Sequence, residues 1–244
     1  MTPETIYEVL EQTWPAASAR RLGPWLIRDG KGGGQRVSAA TLEGALEGAD
    51  IAQAEAAMQA LGQVPLFMIR QQDTALDAAL AAEGYLRHDP VVVYAAPVDS
   101  LANPPPPPMS AFAIWPPMNI AAQLWAEAGL GPGRLAVMER ALGPKTTILG
   151  RINDRASGIA YVACQGKTAM LHALEVVSSQ RRQGSASHIM RAAAVWAQSQ
   201  GAEVLCLAVT EANTAARALY AGLGMQEVGR YHYRRKPLSE GLTP

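Results

Sequence analysis

Residues 172–186 read HALEVVSSQRRQGSA, and the fold turns on how they are read. The first six read as the end of a strand. A polar Gln-Arg-Arg-Gln-Gly-Ser-Ala turn follows. Residues 185–200 then carry Ile189, Ala193 and Trp196 at i, i+4 and i+7, which predicts a long helix. A turn of this kind lines up backbone N–H groups at a helix N-terminus, where the dipole also favours an anion. Gly184 lets the chain approach closely, and Ala186 keeps the first turn uncluttered. Arg181 and Arg182 add charge at the rim. The stretch reads as a seat for a phosphate or pyrophosphate.

Outward from it, helices are predicted at 119–130 and 134–142, and strands at 145–151, 158–164 and 169–177. A strand at 204–210, a helix at 214–223 and a strand at 226–235 follow. An antiparallel meander joined to a β-α-β crossover implies an α+β fold, a mixed sheet flanked by helices. The N-terminal part predicts a helix at 5–14 and a hairpin of 25–28 with 36–40 around a Gly-rich turn at 30–34. A helix at 50–61 comes next.

Residues 101–109, LANPPPPPM, form the clearest boundary: five prolines favour an extended linker. A repeat spans it. Residues 65–93 lie on 205–233 without a gap, at an offset of 224 − 84 = 140. Thr74, Ala75, Ala78, Ala81 and Gly84 fall on Thr214, Ala215, Ala218, Ala221 and Gly224. Both copies read strand, turn, helix, glycine stop, strand. Asp73 and Asn213 stand at N-cap positions, and the two glycines stand at C-caps.

Composition narrows the function. Of 244 residues, 49% are apolar and 17% charged, enough for a sizeable core. The apolar runs are too short to span a membrane, and the acidic amphipathic start is unlike a signal peptide. Two cysteines make neither a disulfide framework nor a four-cysteine metal site, and a reducing cytoplasm is expected. Residues 1–103 carry 7 Lys+Arg against 13 Asp+Glu; the remainder carries 14 against 8, so a net charge of zero divides into −6 and +6. No basic stripe interleaved with aromatics appears, which argues against nucleic-acid binding.

The sequence resembles the GNAT superfamily of N-acetyltransferases. The family pattern Gln/Arg-x-x-Gly-x-Gly/Ala after Leu-x-Val is matched by Arg181-Arg182-Gln183-Gly184-Ser185-Ala186 after Leu174-Glu175-Val176. The pattern Asn-x-x-Ala-x-x-Leu-Tyr is met by residues 213–220, ending in Tyr220, with Gly224-Met225 beyond. The resemblance covers roughly 110–236. With the repeat, it implies a tandem protein of two GNAT-like domains, each a mixed, mostly antiparallel sheet flanked by helices. Residues 1–100 would be a degenerate copy, 101–109 the Pro-rich linker and 110–244 the domain that binds acetyl-CoA.

The resemblance also implies roles. The pyrophosphate would rest on the turn from Arg181 through Ala186, and pantetheine would run along Leu174, Val176 and Val177. Asn213 would cap the helix carrying Tyr220 and approach the pantetheine, and Tyr220 would protonate the leaving thiolate as general acid. The positions where the family often keeps its base are Met170 and Ala208, which cannot act. His172 and Glu175 remain. Strand alternation puts them on opposite faces, and His172 is preferred for its parity with Met170 and its intrinsic pKa. Glu211 and His232 are outside candidates. The first copy has Leu80 where the second has Tyr220, and no pyrophosphate turn. The expectation is direct transfer of acetyl to a primary amine, on a small molecule or peptide, by a monomer or homodimer without metal or membrane. The alternative is a catalytically weak CoA-binding regulatory or scaffolding protein.

Overall fold

The computed structural model describes residues 3–237. The outermost residues of the sequence-derived domains, 1–2 and 238–244, lie outside them. In chain order the elements are α1 (Pro3–Thr13), β1 (Ser18–Leu22), β2 (Trp25–Asp29), α2 (Gln35–Ser38), β3 (Thr41–Leu42), α3 (Ile51–Ala60) and β4 (Phe67–Arg70). Next come α4 (Thr74–Ala82), β5 (Leu86–Pro97), α5 (Val98–Ala102), β6 (Ala111–Ile114), α6 (Asn119–Glu127), α7 (Pro132–Arg140) and β7 (Lys145–Ile152). The chain closes with β8 (Arg155–Gln165), β9 (Thr168–Val176), α8 (Ser185–Ser199), β10 (Val204–Thr210), α9 (Thr214–Gly222) and β11 (Gln226–Arg235).

The structure has two compact units, and they are interleaved along the chain. Unit 1 contains residues 3–15, Val93–Val209 and Asn213–Gly229; unit 2 contains Ala16–Val92, Thr210–Ala212 and residues 230–237. The linear ranges 1–100 and 110–244 therefore describe sequence copies, and each compact unit draws on both.

In unit 1 the sheet order is β5-β10-β9-β8-β7-β6. Strands β6 to β9 form the expected antiparallel meander, and β10 joins β9 in parallel. One face is covered by α8, which buries Ile189, Met190, Ala193, Ala194 and Ala197. Trp196, predicted for that stripe, is only half-buried, because the covered face centres one position further round the helix. The other face is covered by α1, α6 and α7. Helix α1, with Trp14 just beyond its end, buries Ile6, Val9, Leu10 and the Trp14 ring, and it packs on β8 and β9. Gly158 is required on the α8 side: a Cβ there would stand 2.6 Å from the Glu175 carbonyl oxygen and 3.1 Å from Ile189 Cδ1. The prolines after α5 are not free of the fold, since Arg191 donates to the Pro104 carbonyl at 2.8 Å.

In unit 2 the core gathers Trp25, Ile27, Met58, Phe67, Leu76 and Tyr85. The predicted hairpin is corrected. Strands β1 and β2 pair around Gly23-Pro24, while residues 35–38 form a single helical turn and β2 pairs with β3 instead. Glycines at 30–34 end β2 and release the chain before it can pair back. The repeat holds: α4 and α9 occupy 74–82 and 214–222, at the offset of 140, and both copies are strand–helix–strand. Asn213 caps α9 through its side chain onto Ala216 N at 3.1 Å. Asp73 stands at the N-cap of α4, but its carboxylate turns back to accept from Arg70 N at 2.9 Å.

Strand β11 reaches into unit 2, pairing antiparallel with β4 from Tyr231↔Arg70 to Arg234↔Phe67. The seam with α4 is electrostatic. Asp77 Oδ1 accepts from Arg234 Nε at 2.7 Å and from His232 Nε2 at 2.8 Å. The Arg234 contact, with His232 behind it, outweighs burial and holds the Asp77 carboxyl below its ordinary value. A depressed carboxylate pKa stabilises the fold above its unfolded value and loses that contribution as pH falls. Asp77→Asn should therefore cost about 1–2 kcal/mol at neutral pH. The gap between the two proteins should close as pH falls below 3.8, which thermal melts across a pH series would read.

Candidate active site

Strand β9 and its bulge build the site. The parallel register with β10 runs from Val204↔Thr168 to Leu207↔Leu171 and ends there. Beyond it Ala173 takes φ 50°, and the register against β8 slips between Ile159 and Tyr161. An extra residue on β9 bends the strand away from β10 and opens a wedge between them. Trp125 holds the bulge by donating from Nε1 to the Ala173 carbonyl at 2.9 Å.

The wedge leads into a cleft of about 620 Å³, within the usual size for a small-molecule site. Its floor is Leu174, Glu175 and Val176; its sides are the turn before α8 and the face of α9 that carries Tyr220. At the turn, Gly184 stands in the left-handed region at φ 87°. No side chain caps α8, so the first-turn amides of this 15-residue helix are left for a ligand. Ser157 and Ser185 hydroxyls, 2.7 Å apart, tie the helix start to β8. Arg181, Arg182, Ser185 and Ala186 line the cleft with Gly184, and Asn213 and Tyr220 line the opposite wall. Two predicted residues stand outside it. Val177 is turned to β8, its N–H donating to the Ser157 carbonyl at 3.0 Å. Gln183 donates to the Ser179 carbonyl and accepts from Asn153.

His172 is not brought to the cleft. It is 5% exposed, packed against Trp14 at 5.0 Å between ring centroids and against Tyr161 at 6.0 Å. Its Nε2 is 2.9 Å from Thr13 Oγ1. Because that hydroxyl already donates to the Val9 carbonyl at 2.7 Å, Nε2 carries the proton and donates. The expectation that His172 and Glu175 oppose each other is also corrected. Their partners on β8, Tyr161 and Ile159, are two residues apart, so the bulge places both on one face.

Glu175 is the carboxylate in the cleft. Burial raises its pKa above the ordinary value, opposed by Arg181 and then Arg134. Tyr220, 5% exposed and 5.9 Å from the Tyr94 ring, has its phenol pushed up to about 12 by burial and then by the Glu175 charge. A phenol kept protonated and a carboxyl of raised pKa thus share one cleft. Glu211 and His232 belong to unit 2 and line no part of it. In the first copy, Leu76 and Leu80 take the places of the cleft residues Ala216 and Tyr220 and are buried in the core.

Residues 124–225 match the family model of the acetyltransferase (GNAT) family. That stretch is similar to GNAT domains. Solved structures extend the likeness. A GCN5-related N-acetyltransferase from Kribbella flavida is 16% identical with a TM-score of 0.70, the match covering 97% of this chain and 96% of that one. A functionally unknown conserved protein from Staphylococcus epidermidis is 13% identical with a TM-score of 0.71 and 98% of each chain covered. A tandem GNAT protein from the clavulanic acid biosynthesis pathway is 17% identical with a TM-score of 0.60, over 80% of this chain and 74% of that one. No curated protein matches the chain. The chain has the fold of tandem GNAT proteins. Among its described residues no helix is long and apolar enough to cross a membrane.

Proposed function

We propose that the GNAT domain transfers acetyl from acetyl-CoA to a primary amine by direct attack. The observation that carries this is one continuous cleft with an uncapped helix N-terminus at one end and the Glu175–Tyr220 pair at the other. The residues present fit the donor. The amides opening α8 with Arg181 and Arg182 would hold its pyrophosphate, and the edge of β9 at Leu174 and Val176 would pair with its pantetheine arm. When bound, the donor supplies an activated acyl thioester. Glu175 would take a proton from the acceptor ammonium, freeing the nitrogen lone pair. A backbone N–H at the bulge would face the developing oxyanion. The Tyr220 hydroxyl would give its proton to the departing sulfur.

In this reading His172 is structural, fixing α1 to β9, and the copy at 1–100 carries no chemistry of its own. The buried thiols Cys164 and Cys206, pushed by burial to about 11 and about 12, stay protonated and suit a reducing cytoplasm. A monomer or homodimer is proposed.

An amine panel followed by thiol release tests the reaction; CoA binding without release from any amine would favour a regulatory or scaffolding protein. Glu175→Gln and Tyr220→Phe should each lower kcat by about 10²–10⁴-fold with little change in the KM for acetyl-CoA. In the wild type, kcat/KM should fall at acid pH through a base above the ordinary glutamate value of 4.5, and Glu175→Gln should lose that limb. An unchanged acid limb in Glu175→Gln would remove Glu175 from the role.

A further inference from the structure

Unit 2 holds a second cleft that the reaction does not use. It encloses about 210 Å³ among Arg70 of β4, Asp77 of α4, Arg87 of β5, Glu211, and Arg230 and His232 of β11. It is not a degenerate copy of the cofactor cleft. That cleft meets α9 at Ala216 and Tyr220, whose counterparts Leu76 and Leu80 point into the core. The small cleft meets α4 at Thr74 and Asp77 instead.

Its charge is the informative feature. Both carboxylates are already engaged: Asp77 by His232 and Arg234, and Glu211 by Arg230 at 2.6 Å. Arg70 is paired with Glu43. Arg87 is different: it lines the cleft with no ion pair or hydrogen bond among the described residues. Arg70 and Arg230 are thus matched by Glu43 and Glu211, and Asp77 by Arg234, so that Arg87 brings the excess positive charge to a small hollow with Ile69 and Val91 as apolar backing. Low-polarity walls and a concave shape strengthen an unbalanced positive field. Burial lowers the pKa of His232; Asp77 opposes that, while Arg87 and Arg234 add to it. The hollow has room for an ion of a few heavy atoms, and the planar guanidinium fork matches an oxyanion.

We propose that this cleft binds a small oxyanion, a phosphate or carboxylate group, with Arg87 as its principal partner and Arg230 beside it. The proposal stands apart from the acetyl-transfer reading. A free phosphate and a small carboxylic acid share the chemistry, so inorganic phosphate and acetate are the two probes.

The chain has four histidines, and nitrogen spectra of their imidazoles in the full-length protein separate the two clefts. His232 lines the small cleft, and His188 lies beside Gly184 at the large one. At constant ionic strength near pH 7, phosphate, acetate or both should shift the His232 signals saturably and raise its pKa. His172, buried against Thr13, should not move. Arg87 is exposed, so Arg87→Gln should fold normally and bind about tenfold more weakly or worse. Arg87→Lys should fall between them. A drift of His232 no larger than sodium chloride produces, or an identical curve in Arg87→Gln, overturns the site. A saturable shift of His188 alone assigns the binding to the large cleft and overturns it equally.

Discussion

Gly184→Glu is expected to abolish acetyl-CoA binding while the protein stays folded. Gly184 holds φ 87°, a conformation that costs an L-residue about 1–2 kcal/mol. A Cβ there would stand 3.4 Å from His188 Nε2, tight but not closed. The fold tolerates this, because a carboxylate beside the start of α8 is itself favourable to the helix dipole. Binding does not. The new carboxylate would occupy the amides that the proposed pyrophosphate needs and would repel it. Calorimetry should show affinity weakened by more than about 100-fold, roughly 2.7 kcal/mol. Gly184→Ala, which adds strain without charge, should lose far less. Native affinity in Gly184→Glu would refute the anion seat.

A chain beginning at residue 110 is expected not to fold on its own. Its sequence contains both family signatures, yet the unit that bears them is built partly from earlier residues. Helix α1, with Trp14 just beyond its end, buries Ile6, Val9, Leu10 and the Trp14 ring, and β5 supplies Tyr94 beside Tyr220. Four such side chains at about 1.5–3 kcal/mol each approach 10 kcal/mol. A whole domain is stable by only about 5–15 kcal/mol. Residues 110–244 should show no cooperative thermal transition and should expose apolar surface to a dye. Trp14→Ala in the full chain tests the same contact more gently and should cost about 3–5 kcal/mol. A fragment melting near the full chain's Tm would make α1 dispensable.

These two results bear on what a sequence can tell. Periodicity and caps located nearly every strand and helix of the C-terminal half. The turn with Gly184 and the helix with Tyr220 face one cleft, as the two signatures implied. Glu175 was harder. Alternation along 172–177 counts every residue once, and the bulge at Ala173 breaks the count; nothing in Ala173-Leu174 announces it. That one inserted residue moved the candidate base from His172 to Glu175. The hairpin in unit 2 misled for a related reason, because Arg36 and Val37 are acceptable in strands and only the pairing of β2 with β3 shows where the chain goes. The origin of α1 in unit 1 could not be read either, since an amphipathic helix specifies an apolar face and not which surface covers it.

The pairing of β4 with β11 sets an order of events during synthesis. Ile69 waits for His232, and the groups that tether α4, His232 and Arg234, follow it by more than 150 residues. Helix α1 docks on strands β8 and β9, some 150 residues further along the chain. Unit 1 cannot close before residues 213–229 are made, nor unit 2 before residues 230–235. Contacts between distant parts of a chain are slow to form, and the apolar face of α1 and the edge of β4 stay open meanwhile. Premature termination before residue 229 would leave both units without residues they are built from.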